Sequence, residues 1–228
     1  MQNNGYVSKN ELANTVESKN QLNGNPNISF EGDGEGLRVI FVGNSITRHG
    51  YKADIGWYGD WGMAATCKEK DYVHRAIAML EEKYGKVYAC VTQGSEWERA
   101  YDRTAEILNE KYSASREFCA DVVVIRIGEN MPKGCAPECK PQFAEMIEFF
   151  ASNENAKVIV TDSFWQNDAR DGMIKEICEE KGYTFCQIHD LEYDEANMAI
   201  GLFEHKGVAR HPSDLGMENI AKRIVDLV

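Results

Sequence analysis

The chain has 228 residues and a mass of 25.7 kDa, which is enough for one α/β domain and too little for two. Its 37 acidic and 25 basic side chains give a formal charge of -12, so we expect neither nucleic acid nor an anionic membrane surface as a partner. Seven cysteines, an odd number, fit a reducing compartment, and no sequence window is apolar enough to cross a bilayer. These features predict a cytoplasmic protein, or a secreted one if a leader has been removed.

The N-terminal segment, residues 1–36, is polar and carries little apolar periodicity. Its first 27 residues contain eight asparagines, and EGDGEG follows at 31–36. Such a composition favours weak structure, with Ile28 and Phe30 available to attach its end to the rest of the chain. We predict that residues 37–228 form a single domain.

Five short apolar runs follow one another from Leu37 onward, separated by amphipathic stretches. Each run is apolar enough to be covered on both faces, which is typical of strands in a parallel sheet. The alternation predicts an α/β fold, a three-layer α/β/α sandwich around a five-stranded parallel sheet of flavodoxin-like order. The runs are residues 37–43, 86–92, 121–128, 157–163 and 183–189.

Amphipathic stretches between and after these strands are predicted as helices. One helix ends at Gly85, the next begins at Pro141, and a third ends at Gly182. Ser213 is placed to cap the final helix. His211 therefore lies just before a helix N-terminus.

Polar loops follow the first three predicted strands, with Ser45 in GNSIT, Gly94 in TQGSEW and Asn130 in IGEN. In doubly wound sheets, ligands bind beyond the carboxyl ends of the strands, where the strand order reverses. A serine hydroxyl becomes a nucleophile when a base accepts its proton and donors stabilise the oxyanion. His211 is the candidate base.

In these blocks the chain resembles the SGNH or GDSL family of serine esterases and lipases. GNSIT, IGEN and HPSDLGM match the family's serine, asparagine and histidine blocks, while the glycine block fits most loosely. The resemblance runs from Leu37 to the C-terminus and implies the SGNH hydrolase fold without a cofactor. It implies that Ser45 is the nucleophile and His211 the base. It also implies an oxyanion hole formed by the backbone N–H groups of Ser45 and Gly94 and the side-chain amide of Asn130.

Two positions depart from the family pattern. Asn44 replaces the aspartate that precedes the nucleophile, and its side chain can still stabilise the turn. The family places an aspartate three residues before the histidine to orient the imidazole, whereas this chain has Val208 before His211. Either Glu204, Asp214 or a backbone carbonyl binds Nδ1, or the enzyme works as a Ser–His dyad.

Several tryptophans follow strand ends, where a substrate would bind. Trp57 and Trp61 lie in a long glycine-rich connection, residues 51–74, and Trp97 follows the second strand. Long connections of this kind often bind ligands, and aromatic faces suit sugar rings as well as acyl chains. We therefore predict these three residues as substrate-binding, although Trp57 and Trp61 fit the edge of the core equally well.

The leading hypothesis is a serine esterase that hydrolyses a small acyl ester, preferably an acetyl ester on a carbohydrate. One alternative is a flavodoxin-like FMN-binding protein, because the chain is acidic and its first loop contains hydroxyls. Another is a non-catalytic carbohydrate-binding relic, inactive because Val208 replaces the acid. Cys135 and Cys139 alone make a poor zinc site, so we expect no metal.

Overall fold

The computed structural model describes Leu22 and residues 26–228. In this part of the chain, a six-stranded sheet carries helices on both faces, so the predicted three-layer α/β/α architecture is confirmed. The strands are β1 (Ile28–Glu31), β2 (Leu37–Gly43), β3 (Val87–Gln93), β4 (Val122–Arg126), β5 (Lys157–Thr161) and β6 (Thr184–Cys186). The helices are α1 (Tyr72–Tyr84), α2 (Ser95–Arg99), α3 (Thr104–Lys111), α4 (Ser113–Glu117), α5 (Lys140–Phe150), α6 (Asp168–Lys181), α7 (Lys206–Ala209) and α8 (Asp214–Val225).

The strand order is β1-β3-β2-β4-β5-β6. Strands β2 to β6 are parallel and confirm the predicted flavodoxin-like order. The predicted strand count of five is corrected to six, because β1 pairs antiparallel with β3 at the sheet edge. This edge strand lies in the segment 1–36 that was expected to be weakly structured. Residues 1–21 and 23–25 of that segment lie outside the described residues.

Two apolar layers enclose the sheet, one on each face. Because successive side chains of a strand point to opposite faces, β2 contributes to both layers. Val39 and Phe41 pack with residues of α1 and α8, whereas Ile40 and Val42 pack with residues of α5 and α6. Each fully buried side chain of this kind stabilises the fold by roughly 1.5–3 kcal/mol. Within the described residues, no helix combines the length and the apolar composition needed to cross a bilayer.

The predicted helix boundaries agree with the observed ones. Pro141 lies in the first turn of α5, and α1 ends before Gly85. Gly182 ends α6 with φ 71°, a left-handed conformation that favours glycine. Ser213 caps α8 by accepting a hydrogen bond from the backbone N–H of Gly216 at 3.2 Å.

The sheet order brings three strand ends together. β2 lies between β3 and β4, so the direction of chain progression across the sheet reverses at β2. Gly43, the last residue of β2, is in register with Gln93 of β3 on one side and with Arg126 of β4 on the other. The loops that follow these strands therefore share one edge, where a doubly wound sheet binds its ligand.

Candidate active site

The turn that follows β2 presents Ser45 at the carboxyl edge of the sheet. The backbone N–H groups of Thr47 and Arg48 both donate to the Asn44 carbonyl oxygen at 2.9 Å, which closes the turn. A Cβ atom at Gly43 would lie 1.9 Å from Thr47 Oγ1, so only glycine fits where the strand enters the turn. This local geometry fixes the position of the serine hydroxyl.

The hydroxyl of Ser45 meets an imidazole. Ser45 Oγ lies 2.8 Å from His211 Nε2, and His211 Nδ1 lies 2.8 Å from the carbonyl oxygen of Gly207. Because a carbonyl oxygen only accepts, Nδ1 carries the ring proton and Nε2 presents a lone pair to the serine hydroxyl. Trp165 packs edge-on against the imidazole, with ring centroids 5.1 Å apart, and limits its rotation.

In the described structure, a backbone carbonyl and not a carboxylate accepts the hydrogen bond from His211 Nδ1. Of the acceptors that the sequence left open, Asp214 instead accepts hydrogen bonds from the backbone N–H and the hydroxyl of Thr66. Glu204 is exposed to solvent, and Val208 is buried in an apolar cluster. The carbonyl of Gly207, in the short helix α7, is the group that orients the imidazole.

Burial controls the protonation of the base. His211 is fully buried, and this burial lowers its pKa to about 3, although the hydrogen bond to the Gly207 carbonyl partly opposes the shift. A carbonyl dipole stabilises an imidazolium less than a carboxylate charge would. His211 is therefore neutral across the ordinary pH range, and the neutral ring is the form that can accept a proton.

The predicted backbone donors of the oxyanion hole differ in availability. The N–H of Ser45 has no acceptor among residues 26–228 or Leu22, so it is free to bind an oxyanion. The N–H of Gly94 instead donates to the carbonyl oxygen of Gly43 at 2.6 Å, so it is already occupied in this structure. Gly94 is needed for close packing, because a Cβ atom there would lie 2.6 Å from Ile127 Cδ1.

The third predicted donor, Asn130, lies in the loop after β4 and contacts a residue that the sequence did not single out. Asn130 Nδ2 is 2.6 Å from Glu98 Oε2. Asn130 Oδ1 is buried and has no hydrogen-bond partner in the part of the chain that the structure describes. The amide thus has one atom tied to the protein and one left for another partner.

A buried cluster of charged side chains contacts the turn that holds Ser45. Arg126 binds Glu129 through two nitrogens, at 2.8 and 2.9 Å. The side-chain amide of Asn44 donates to Glu98 Oε1 at 3.0 Å and to Glu129 Oε2 at 2.7 Å. An aspartate at this position would place a third carboxylate against these two. The cluster therefore gives a physical reason for Asn44, the departure from the family pattern.

The pKa values of the two carboxyl groups in this cluster, Glu98 and Glu129, shift in opposite directions. Burial acts to raise the pKa of both, but the Arg126 guanidinium and the Asn44 amide hold the pKa of Glu129 below its usual value. Burial and then the negative charge of Glu129 raise the pKa of Glu98. Neither residue carries a sequence signal for this role, because glutamate is usually a surface residue.

The tryptophans predicted to bind substrate are mostly part of the core. Trp97 is 1% exposed and packs edge-on against Phe143, so it lies in the core and has almost no surface that a substrate could contact in this structure. Trp57 is buried too, and its indole N–H donates to the carbonyl oxygen of His49 at 2.8 Å. Trp61, half-buried, packs edge-on against Trp57, which supports the alternative that both cover the core edge. Of the three, Trp61 retains surface that a substrate could contact.

No metal-ligand set is present in the described part of the chain. Cys135 and Cys139 have their sulfurs 3.1 Å apart, but no group of three His, Cys, Asp or Glu side chains is arranged there to hold an ion.

Comparison with known proteins bears on the fold. No protein-family model matches the chain, and no curated protein sequence matches it. A GDSL-like lipase from Bacteroides uniformis has a similar structure, with a TM-score of 0.53 and 16% identity, over 84% of this chain and 95% of that one. A GDSL-like lipase from Parabacteroides merdae gives 0.52 and 16%, over 84% and 94%. A two-domain esterase active on acetylated mannans gives 0.52 and 15%, over 84% of this chain and 48% of that chain. These likenesses show that the chain has the SGNH hydrolase fold.

Proposed function

We propose that the protein is a serine esterase that hydrolyses a small acyl ester by acyl transfer through Ser45 and His211. The observation that carries this proposal is the 2.8 Å contact between Ser45 Oγ and His211 Nε2 at the carboxyl edge of the sheet. The Gly207 carbonyl holds the imidazole in the tautomer that accepts a proton. The chain thus has a nucleophile, a base and an orienting group in hydrogen-bonded sequence.

The proposed reaction has two halves. In the first, Ser45 Oγ attacks the ester carbonyl carbon while His211 Nε2 takes the hydroxyl proton, and the carbonyl electron pair moves onto oxygen. As that pair returns, the bond to the alcohol oxygen breaks and His211 gives the proton to the leaving group. In the second half, water attacks the acyl-enzyme, passes a proton to His211 and releases the acid. The proton then returns to Oγ.

The oxyanion would be stabilised by the backbone N–H of Ser45 and by Asn130 Nδ2, which carries two hydrogens and uses one of them on Glu98 Oε2. Each such donor typically contributes about 10²- to 10³-fold to turnover. The Gly94 N–H is not assigned to this role, because it donates to Gly43.

A backbone carbonyl is an adequate substitute for the triad acid in this scheme. In one well-studied triad, replacing the acid lowers turnover by about 10⁴-fold because the imidazole adopts the wrong tautomer. The Gly207 carbonyl avoids that loss, since it can accept only from a protonated Nδ1. The presence of Val208 therefore does not by itself make the site a non-catalytic relic.

The enclosed site favours a short acyl group. Ser45 and His211 are both buried, so a small acyl group would disturb the packing around them least. Exposed aromatic rings lie on the loop after β2, where Tyr51 and Tyr58 pack edge-on with centroids 5.6 Å apart. Such rings suit the faces of a sugar, and one protein of this fold is an esterase active on acetylated mannans. We infer an acetyl ester on a carbohydrate as the substrate class.

A panel of esters tests both the proposed esterase activity and the proposed substrate class. Hydrolysis of p-nitrophenyl esters is expected to be fastest for acetate and to fall as the acyl chain lengthens, and acetylated oligosaccharides are expected to release acetate. If longer acyl chains react faster, the proposed substrate class is wrong but the proposed esterase activity is supported. If no ester of the panel is hydrolysed above background, the proposed function is contradicted.

The pH dependence of the reaction follows from the buried base. An ordinary histidine loses its ability to accept a proton as the pH falls through about 6.5. Because burial lowers the pKa of His211 to about 3, kcat/KM is expected to stay flat down to about pH 5 and to fall only below it. Circular dichroism at each pH would show that the fold persists. A half-loss of kcat/KM near pH 6.5 would contradict the assignment of a buried neutral base.

A further inference from the structure

Glu98 is a buried carboxyl group that the proposed reaction has not used. It lies on the short helix α2, is 0% exposed, and collects hydrogen bonds from two loops. Its Oε1 accepts from the backbone N–H groups of Gly128 and Asn130, at 2.7 and 3.1 Å, and from Asn44 Nδ2 at 3.0 Å. Glu98 therefore joins the turn of the nucleophile to the loop of the oxyanion donor.

The contact between Glu98 Oε2 and the Asn130 amide leaves one atom of that amide without a partner. Asn130 Nδ2 is 2.6 Å from Glu98 Oε2, a distance that an O–H donor between two oxygens would also give. The other amide atom, Oδ1, is buried without a partner in residues 26–228. A half-turn of the nearly symmetrical amide exchanges its two atoms, so that Oδ1 accepts from Oε2 when Oε2 carries a proton, and the donor Nδ2 takes the buried position that has no partner within the described residues.

The charges around Glu98 favour that proton. Asn44 Nδ2 binds Glu98 and Glu129 at once, so the two buried carboxyl groups are close neighbours. Arg126 already forms a two-bond pair with Glu129. Neighbouring carboxyl groups do not both ionise readily, and the one without a cation keeps its proton.

We propose that Glu98 is a positioning residue that works as a neutral carboxylic acid, donating its proton to Asn130 Oδ1 and turning the Asn130 Nδ2 towards the oxyanion. The inference rests on the proposed esterase function. A neutral group is also favoured on electrostatic grounds, because an ionised Glu98 would place a negative charge against the amide that is proposed to bind the oxyanion. The protonation of Glu98 and the orientation of the Asn130 amide are therefore coupled.

Esterase activity is expected to fall as the pH rises, because Glu98 must be protonated to act. The titratable groups that act on Glu98 are Glu129, from the loop after β4, and the Tyr112 hydroxyl group, from the segment before α4, while Arg126 at the end of β4 pairs with Glu129. Burial and the Glu129 charge raise the pKa of Glu98, so the active, protonated form is present at low pH and is lost as the pH rises through that pKa. His211 stays neutral over this range and adds no second transition.

Two substitutions separate a neutral acid from a needed negative charge. Glu98→Ala removes the group that holds Asn130, and kcat is expected to fall about 10²- to 10³-fold with little change in KM. Glu98→Gln supplies an N–H donor for Asn130 Oδ1 and keeps an oxygen for the three donors on Oε1. It is expected to restore kcat to within about 10-fold of wild type and to abolish the decline at high pH. If Glu98→Gln is as inactive as Glu98→Ala, the proposal is overturned.

An infrared measurement tests the protonation without using activity. Wild-type protein at pH 7 is expected to show the C=O band of a neutral carboxylic acid. Glu98→Gln should lose this band, whereas Glu96→Gln on the same helix should keep it. A band that is absent, or unchanged by Glu98→Gln, overturns the proposal. If the band behaves as expected but wild type hydrolyses no ester, the proposed function fails and the neutral Glu98 stands.

Discussion

Replacement of Ser45 with alanine is expected to lower kcat for p-nitrophenyl acetate by about 10⁶-fold, the loss found when a serine nucleophile is removed from a triad enzyme. The hydroxyl is the atom of this side chain that hydrogen-bonds to His211, and the variant removes that one atom. Initial rates at saturating ester measure the effect. Ser113→Ala, at an exposed serine that begins α4, is the matched control and should react like wild type.

The same prediction extends to the base. His211→Ala should lose about as much activity as Ser45→Ala, and the double variant should lose little more, because the two residues act as one unit. Additive losses in the double variant would mean that Ser45 and His211 act separately. Equal rates for Ser45→Ala and wild type would remove the esterase mechanism altogether.

Loss of Glu129 is expected to be the most destabilising of the changes considered for this chain. Arg126 and Glu129 are buried and joined by two hydrogen bonds, and Glu129 Oε1 also accepts from the backbone N–H of Phe164 at 3.1 Å. Glu129→Ala leaves the Arg126 charge buried and unpaired, which typically costs about 3–5 kcal/mol. Urea unfolding monitored by circular dichroism measures the change in the free energy of unfolding.

An exposed ion pair of the same chain provides the control. Glu180 binds Lys140 at 2.7 Å, but its side chain is 60% exposed. Glu180→Ala should therefore change the free energy of unfolding by no more than about 1 kcal/mol. If Glu129→Ala and Glu180→Ala cost the same, the Arg126–Glu129 pair does not stabilise the base of the site.

Most of the sheet could be predicted from the sequence because its strands are buried on both faces. The run 37–43 coincides with β2, and the other four runs overlap the observed strands within a few residues. The edge strand β1, residues Ile28–Glu31, was missed because it is short and lies in a polar segment. Its pairing with β3 is a long-range contact that local composition does not reveal.

The candidate site was only partly predictable. Ser45 and His211 could be paired because each follows a recognisable motif, and the structure places them in contact. Trp97 lies in the core, because the end of a strand fixes where a loop begins but not where a side chain points one turn later. The sequence left a backbone carbonyl open as the acceptor for Nδ1 but could not single out Gly207, since a backbone acceptor has no residue signature. It did not single out Glu98, because the burial of a glutamate depends on distant partners.

Covalent labelling with a fluorophosphonate tests the central claim most directly, because the reagent reacts with a serine only when a base activates its hydroxyl. Peptide mass spectrometry of the labelled protein is expected to find one adduct, on Ser45, absent from Ser45→Ala and strongly slowed in His211→Ala. An adduct on another residue, or labelling of Ser45 at the same rate in His211→Ala, would contradict the proposed catalytic pair.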